Sequence, residues 1–358
     1  MDLNTPPKRI SKKTVLVGIL VLTVVILLTF GTILKNLGGK DILGTLKGIP
    51  PYVIPLCFFM LLAFSFFEGV NMHRALRLAG YRGNLLQSWK YAIAGFFYSG
   101  ITPSSSGGQP MQIYYMYQDR VKISHGLFAV IMQLFGHEGA IVILGLTGFL
   151  TMRGKMLQPA GHLKFLIFLG LTLNLLHFLF LMVVLFTRRG IEITTNVLGN
   201  IVGKFARKGK GKLVEKIRSV LDDYKYVSNY LKKDRNIAWK AILTGLLQFI
   251  SLFSIQALIY FGLGLSEYNY FQIILLQSVA FISVGFIPIP GSAGISEGMS
   301  MLLYQIIYPM SLLGGAVLLG RCFSMYFGII LYGTILAVCH IMSVKHTSFV
   351  KKRIVENS

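Results

Sequence analysis

The stretch that decides the fold is PIPGSAGISEG, residues 288–298, which interrupts an apolar segment running from about residue 270 to 308. In a lipid bilayer such a break leaves backbone N–H and C=O groups unpaired unless protein or a water-filled cavity receives them. A second break, TPSSSGGQP at residues 102–110, divides the apolar segment 85–118 in the same way. Discontinuous helices form the substrate sites of many transporters. The two breaks therefore predict a pair of re-entrant hairpins.

The composition is that of a polytopic membrane protein. Hydrophobic residues make up 54% of the chain and charged residues only 13%, whereas soluble domains carry about 25% charged residues. Six further apolar segments are long enough to span a bilayer; they lie at about residues 14–34, 52–71, 124–151, 163–187, 237–262 and 311–342. We therefore expect an all-α membrane protein with about six full spans and two re-entrant hairpins.

The distribution of the 35 Lys and Arg residues predicts the orientation. With the N-terminus in the cytoplasm and both hairpins re-entrant, 28 of these residues are cytoplasmic and 6 are external, and Arg321 lies within the last span. This asymmetry follows the positive-inside rule and predicts that both termini are cytoplasmic. Because the rule accounts for the net charge of +22, we expect no nucleic-acid partner.

The predicted topology orients the two hairpins oppositely, as in inverted repeats. Gly100 and Pro103 recur as Gly285 and Pro288, at an offset of 185 residues. We expect repeats at 1–162 and 163–358, each built from two spans, a hairpin (85–118 or 270–308) and a long span. The insert 188–236 within the second repeat is strongly basic with apolar residues at helical spacing, which indicates an amphipathic helix on the cytoplasmic membrane surface or a solvated connector.

The two breaks supply the first candidate site residues. The N-terminus of a half-helix presents unpaired N–H groups that suit a phosphate. The candidates are Ser104, Ser105, Ser106, Gly107, Gly108 and Gln109 in the first break, and Gly291, Ser292, Gly294 and Ser296 in the second. The alternative is that glycine and proline only permit the tight turns while serine caps the helices.

Ionisable residues inside the spans supply the second set. Arg321 lies about ten residues into the last span, and the 185-residue offset places it opposite Gly136, beside His137 and Glu138. Together with Glu297, these residues form either a headgroup-binding set or a buried structural ion pair of Arg321 with Glu138. Glu68 lies toward the cytoplasmic end of its span, where we expect a structural or interfacial role.

Recognisable catalytic and metal motifs are missing from the sequence. No His, Cys or carboxylate cluster has metal-site spacing, and neither a nucleophile elbow, a P-loop nor a dinucleotide fingerprint is present. Cys57, Cys322 and Cys339 lie singly in apolar segments. We expect no metal, no cofactor and no catalytic residue.

TPSSSGGQP followed by Gln112, together with PIPGSAGISEG, resembles the membrane domain of lysylphosphatidylglycerol synthases, the flippase part of the bacterial multiple peptide resistance factor. The resemblance implies translocation of aminoacylated phospholipid in the bacterial cytoplasmic membrane and a role in antibiotic resistance. The soluble domain that transfers the amino acid from tRNA is not expected here. Ser292 and Gln109 depart from the family pattern, which often has glycine and an acidic residue there.

The leading hypothesis is a lipid flippase that translocates a phospholipid headgroup, plausibly that of lysylphosphatidylglycerol. One alternative is a membrane transferase of lipid metabolism, such as a phosphatidylglycerol lysyltransferase. Another is a transporter of a small soluble solute, which would share the inverted plan. A homo-oligomer or a separate synthase partner is compatible with each hypothesis.

Overall fold

The computed structural model describes residues 44–45, 47–102, 106–161, 164–187, 236–285 and 295–339, with the backbone alone for 158–160, 295 and 297. Within these residues every regular element is helical. The helices, in chain order, are α1 (Val53–Leu78), α2 (Leu85–Ile101), α3 (Gly108–Gln118), α4 (Ile123–Ala160), α5 (Lys164–Phe186), α6 (Asn236–Gly262), α7 (Tyr270–Val284), α8 (Ile295–Tyr304) and α9 (Met310–Cys339).

Five of these helices are long and apolar enough to cross a membrane, namely α1, α4, α5, α6 and α9. They coincide with five of the six predicted spans. The sixth predicted span, 14–34, lies outside the described residues, as do nearly all of the insert 188–236 and both loop centres, 103–105 and 286–294. The all-helical membrane architecture is confirmed, while the total number of spans and the repeats remain predictions.

Both broken segments begin with the same helix cap. The Asn84 Oδ1 accepts the Gln87 N–H at 2.8 Å, and the Gln87 Oε1 accepts the Asn84 N–H at 3.2 Å. Asn269 and Gln272 form the same reciprocal pair, at 3.0 Å for both bonds. Each capping box satisfies two N–H groups at the start of a helix. The two boxes lie 185 residues apart.

The helix order repeats along the chain at nearly the same interval. The starts of α1 to α4 precede those of α6 to α9 by 183 to 187 residues. Helices α1 and α6 also end alike, because Gly80 and Gly264 follow them with φ of +86° and +77°. This left-handed conformation, which glycine adopts without steric penalty, closes the last helical turn.

The centre of the molecule is the contact between α1 and α6, the most extensive between any two described helices. Helix α4 packs against both, and 72% of its most apolar window is buried, against 28% for α5. Helix α5 therefore lies at the lipid-facing periphery, where it contacts α4 and α7. Helix α9 contains one π-helical turn, Cys322–Tyr326.

Candidate functional site

A cavity of about 260 Å³ lies where the two broken segments meet. The last turns of α2 and α7 contribute Ser99, Gly100, Val284 and Gly285, and the first turns of α8 contribute Ser296 and Ser300. Helices α1, α4, α6 and α9 complete the wall. The helix breaks thus border a cavity, the environment that interrupted backbone in a membrane requires.

The polar lining of the cavity combines a single arginine with hydroxyls and amides. Arg321 of α9 is the one arginine or lysine in the described lining. Around it are five hydroxyl side chains and two amides: Ser99, Ser296, Ser300, Ser324, Tyr304, Gln256 and Gln277. An arginine surrounded by neutral donors suits an anionic oxygen group such as a phosphate.

Several residues that line the cavity form pairs separated by 185 positions in the sequence. Four pairs of lining residues are separated by that interval: Phe64 and Phe249, Phe96 and Phe281, Ser99 and Val284, and Gly100 and Gly285. The Phe249 and Phe281 rings lie 5.4 Å apart between centroids. Corresponding positions of the two halves of the chain therefore converge on one space.

Two buried polar atoms on cavity-lining residues have no hydrogen-bond partner among the described residues. They are the His137 Nδ1 and the Gln277 Oε1. The His137 ring lies 4.5 Å from the Phe249 ring between centroids. A buried polar atom without a partner costs about 1–3 kcal/mol, so a polar ligand or water held in this cavity would gain by satisfying both.

Arg321 is the last residue before the π-helical turn of α9. Ser324 and Met325, which also line the cavity, lie within that turn. Single π-helical turns inside α-helices are found frequently at functional sites. This local feature therefore coincides with the residues that the cavity uses.

Of the predicted ionisable residues, the structure places His137 and Arg321 in the cavity wall but not Glu138. The Glu138 Oε1 lies 3.2 Å from the Nδ1 of His177 on α5, and its Oε2 is buried with no hydrogen-bond partner within the described ranges. The ion pair of α4 is thus directed to the periphery. Glu297 belongs to α8 beside Ser296, and its side chain lies outside the described residues.

The first break contributes less to the cavity than the sequence predicted. The Gly107 N–H donates to the Thr102 Oγ1 at 2.9 Å, and Gly108 packs against Ser99 and the Gly95 carbonyl. Ser106, Gly107, Gly108 and Gln109 are not among the lining residues. Ser104, Ser105, Gly291, Ser292 and Gly294 lie outside the described residues. Of the loop candidates, Ser296 is the one that the structure places in the wall.

A second polar cluster joins three helices next to the cavity. The Glu68 carboxylate of α1 accepts the Gln112 Nε2–H of α3 at Oε1 (2.7 Å) and the Gln248 Nε2–H of α6 at Oε2 (3.0 Å). Glu68 is only 8% exposed. Of the structural and interfacial roles expected from its sequence position, the structural one fits, because α3 and α6 cover the side chain.

No group of three His, Cys, Asp or Glu side chains within the described residues could hold a metal ion.

The sequence did not identify Gln256, Gln277, Ser300 and Ser324 as lining residues, since neutral polar residues in apolar helices form no recognisable motif. The 185-residue offset was the available signal. Applied to every position rather than to two glycines, it pairs the phenylalanines that define the cavity.

Comparison with known proteins agrees with this architecture. Residues 15–331 match the model of the family described as the lysylphosphatidylglycerol synthase TM region. A UPF0104 membrane protein of Archaeoglobus fulgidus is 25% identical over 319 residues, which cover 84% of this chain and 88% of that protein. The resemblance noted in the sequence is confirmed.

Proposed function

The chain belongs to the lysylphosphatidylglycerol synthase TM family, and we propose that it is a lipid translocase that moves a phospholipid headgroup between membrane leaflets. The observation that carries this proposal is the cavity between the two broken segments, with Arg321 and hydroxyl side chains in its wall. Family membership supports a membrane role connected with lipids.

The size of the cavity fits a headgroup rather than a whole lipid. A volume of about 260 Å³ corresponds to about nine water molecules at about 30 Å³ each. A small polar headgroup can enter such a space, whereas two acyl chains are far larger. The acyl chains would remain in the bilayer while the headgroup passes through the protein.

The phosphate would lie against Arg321 and the first turns of α8. Charge-assisted hydrogen bonds from a guanidinium to phosphate oxygens are about twice as strong as neutral ones. Ser296 and Ser300 lie near the N-terminal end of the ten-residue helix α8, where the helix dipole favours an anion. The cavity thus offers both a full charge and oriented dipoles to the same group.

An inverted repeat gives such a site two equivalent routes of access. The matching helix starts, the two capping boxes and the four offset-related lining pairs support the repeat. In transporters built this way, one repeat moves against the other around a fixed midplane site. The Lys and Arg asymmetry supports a plasma-membrane protein with both termini cytoplasmic.

An aminoacylated headgroup is the finer form of the proposal. A lysyl group would bring additional positive charge, for which a carboxylate is the natural partner. Glu138 is held by His177 on the other side of α4, so Glu297 is the candidate. The phosphate-binding half of the site is common to all anionic phospholipids.

The test is translocation of fluorescent lipids by the purified chain in proteoliposomes. Phosphatidylglycerol, lysylphosphatidylglycerol and phosphatidylcholine analogues are compared for wild type, Arg321→Ala and Arg153→Ala. Arg153 is an exposed residue of α4 outside the cavity. Loss of a hydrogen bond to a charged group costs about 1.5–3 kcal/mol, so we expect half-saturation to rise about 10- to 150-fold in Arg321→Ala.

Arg153→Ala should behave as wild type, because it removes the same charge from outside the cavity. Equal translocation by folded Arg321→Ala would overturn the proposed site. Absence of translocation of all three lipids by wild type would overturn the function. Formation of lysylphosphatidylglycerol from lysyl-tRNA and phosphatidylglycerol would instead establish the transferase alternative.

A further inference from the structure

Glu68 is a buried carboxylate that connects both halves of the chain through neutral partners. The amides of Gln112 and Gln248 are its hydrogen-bond partners, one on each carboxylate oxygen. The first belongs to the half-helix α3 and the second to the central helix α6. An ionised carboxylate is costly in a low-dielectric interior unless it is paired or binds a cation.

Most of the charged and titratable groups on the surrounding helices have other partners or lie in the cavity wall. On α1, Arg74 donates to the Asn71 Oδ1 and the Thr244 Oγ1, and the His73 Nδ1 meets the Ser88 hydroxyl. On α2 and α3, Lys90 pairs with Asp119 and the Tyr115 ring lies against Tyr98. On α4, His137 lies in the cavity wall and Glu138 pairs with His177, and α6 carries Lys240. On α9, Arg321 lies in the cavity wall and Tyr332 donates to the Leu61 carbonyl.

This cluster stands between the cavity and the basic end of α1. Phe64, which lines the cavity, precedes Glu68 by four residues and so shares its helix face. On α6, Gln248 shares a face with Leu252 and Gln256, both in the cavity wall. Arg74 lies beyond Glu68 in the opposite direction. Glu68 is therefore about one helical turn, roughly 5 Å, from the cavity level.

The Gln248 amide can serve either protonation state of Glu68. Its Nε2 donates to the carboxylate, while its Oε1 is buried and has no hydrogen-bond partner in the part of the chain that the structure describes. Rotation of the amide by half a turn exchanges these two atoms. The oxygen could then accept the O–H of a protonated Glu68, so the network has a satisfied arrangement for the anion and another for the acid.

We propose that Glu68 is a proton-binding site that couples lipid translocation to proton movement, an inference that rests on the proposed function. The ionised carboxylate holds α1, α3 and α6 together by two charge-assisted hydrogen bonds. A proton taken from water converts it to the acid and the two bonds become neutral ones, so α3 loosens from the closed arrangement that it forms with α1 and α6, one helical turn from the cavity. Loss of that proton to water restores the closed arrangement.

The first experiment measures translocation in proteoliposomes with and without an imposed pH gradient. We expect wild type to change its rate at least about fivefold, the factor that corresponds to weakening one charge-assisted hydrogen bond to a neutral one, a loss of about 1 kcal/mol. Glu68→Gln, which cannot change its charge, should give one rate in both conditions. Glu138→Gln removes the other buried carboxylate of the described spans and should keep the wild-type response.

The second experiment reads the proton directly and needs no transported lipid. Infrared difference spectra across a pH titration should show the carbonyl band of a buried protonated carboxyl in wild type and Glu138→Gln. The band should be absent from Glu68→Gln. Gln248→Leu, which removes one donor to the anion, should retain the band to higher pH and serves if Glu68→Gln does not fold.

The outcomes separate the two proposals. A wild type that translocates lipid with no response to the pH gradient overturns proton coupling and leaves the lipid function intact. A wild type that translocates no lipid but loses its carboxyl band in Glu68→Gln overturns the lipid function and keeps the proton site. An unchanged band in Glu68→Gln, or in Gln248→Leu, overturns the proton site.

Discussion

Substitution of Gly170 by alanine should separate α5 from the second broken segment. A Cβ atom at this position would meet the Ile282 carbonyl oxygen, with the Ser283 Cα at 2.7 Å and the Ile282 carbonyl carbon at 2.9 Å. All three are backbone atoms, which cannot move aside by a side-chain rotation. Overpacking costs about 1–3 kcal/mol, and a backbone obstacle places this case at the upper end.

Alanine also favours the helix over glycine by about 0.5–1 kcal/mol, so a net loss of about 2 kcal/mol is expected. Gly154→Ala is the matched control, because a Cβ there has nothing within 4 Å. That variant should gain about 0.5–1 kcal/mol from helix propensity alone. The free energy of unfolding is measured by denaturant titration in mixed micelles. Stabilisation of similar size by both substitutions would refute the close contact between α5 and α7.

Two further perturbations follow from the same contacts. Asn84→Ala and Asn269→Ala each remove the side-chain half of a capping box, so each should lower the free energy of unfolding by about 1 kcal/mol; unequal losses would argue against equivalent ends for α2 and α7. His177→Ala leaves both oxygens of Glu138 without a described hydrogen-bond partner and should cost about 1–3 kcal/mol, whereas His177→Gln, which keeps a donor, should recover most of it in the same titration.

The spans could be predicted from sequence because length and hydropathy determine them. The interval of apolar residues from 237 to 262 became α6, Asn236–Gly262, within one residue. The bilayer thickness fixes the length of such a helix, and lipid excludes other backbone conformations. The two breaks could also be predicted from sequence, because runs of glycine, proline and serine do not continue an apolar helix.

Side-chain partners could not be predicted in this way. The offset put Glu138 and Arg321 at similar depth, but it carries no information about the direction of each side chain around its helix. In the structure His137 lines the cavity and the adjacent Glu138 contacts His177 on the opposite side. Neighbouring residues point about 100° apart on a helix, so the one-residue difference decides which of the two can meet a ligand.

Glu68 illustrates a second limit. Its position toward the cytoplasmic end of the span indicated access to water, whereas Gln112 and Gln248 bury it from two directions. Those partners are 44 and 180 residues away. No local pattern reports such a contact, because it depends on how the half-helix α3 folds back against α1 and α6.

The 185-residue offset also shows why the cavity holds its arginine on one side. The counterpart of Arg321 at the 185-residue offset is Gly136, where an added Cβ atom would lie 2.6 Å from the Ala241 carbonyl oxygen. A side chain at that position would force α4 away from α6, so close packing excludes a second arginine there. The two halves therefore share the aromatic walls of the cavity but not its charge. Under the proposed function, a headgroup whose phosphate lies against Arg321 would be bound in one orientation, and its path to each leaflet would begin from the same contact.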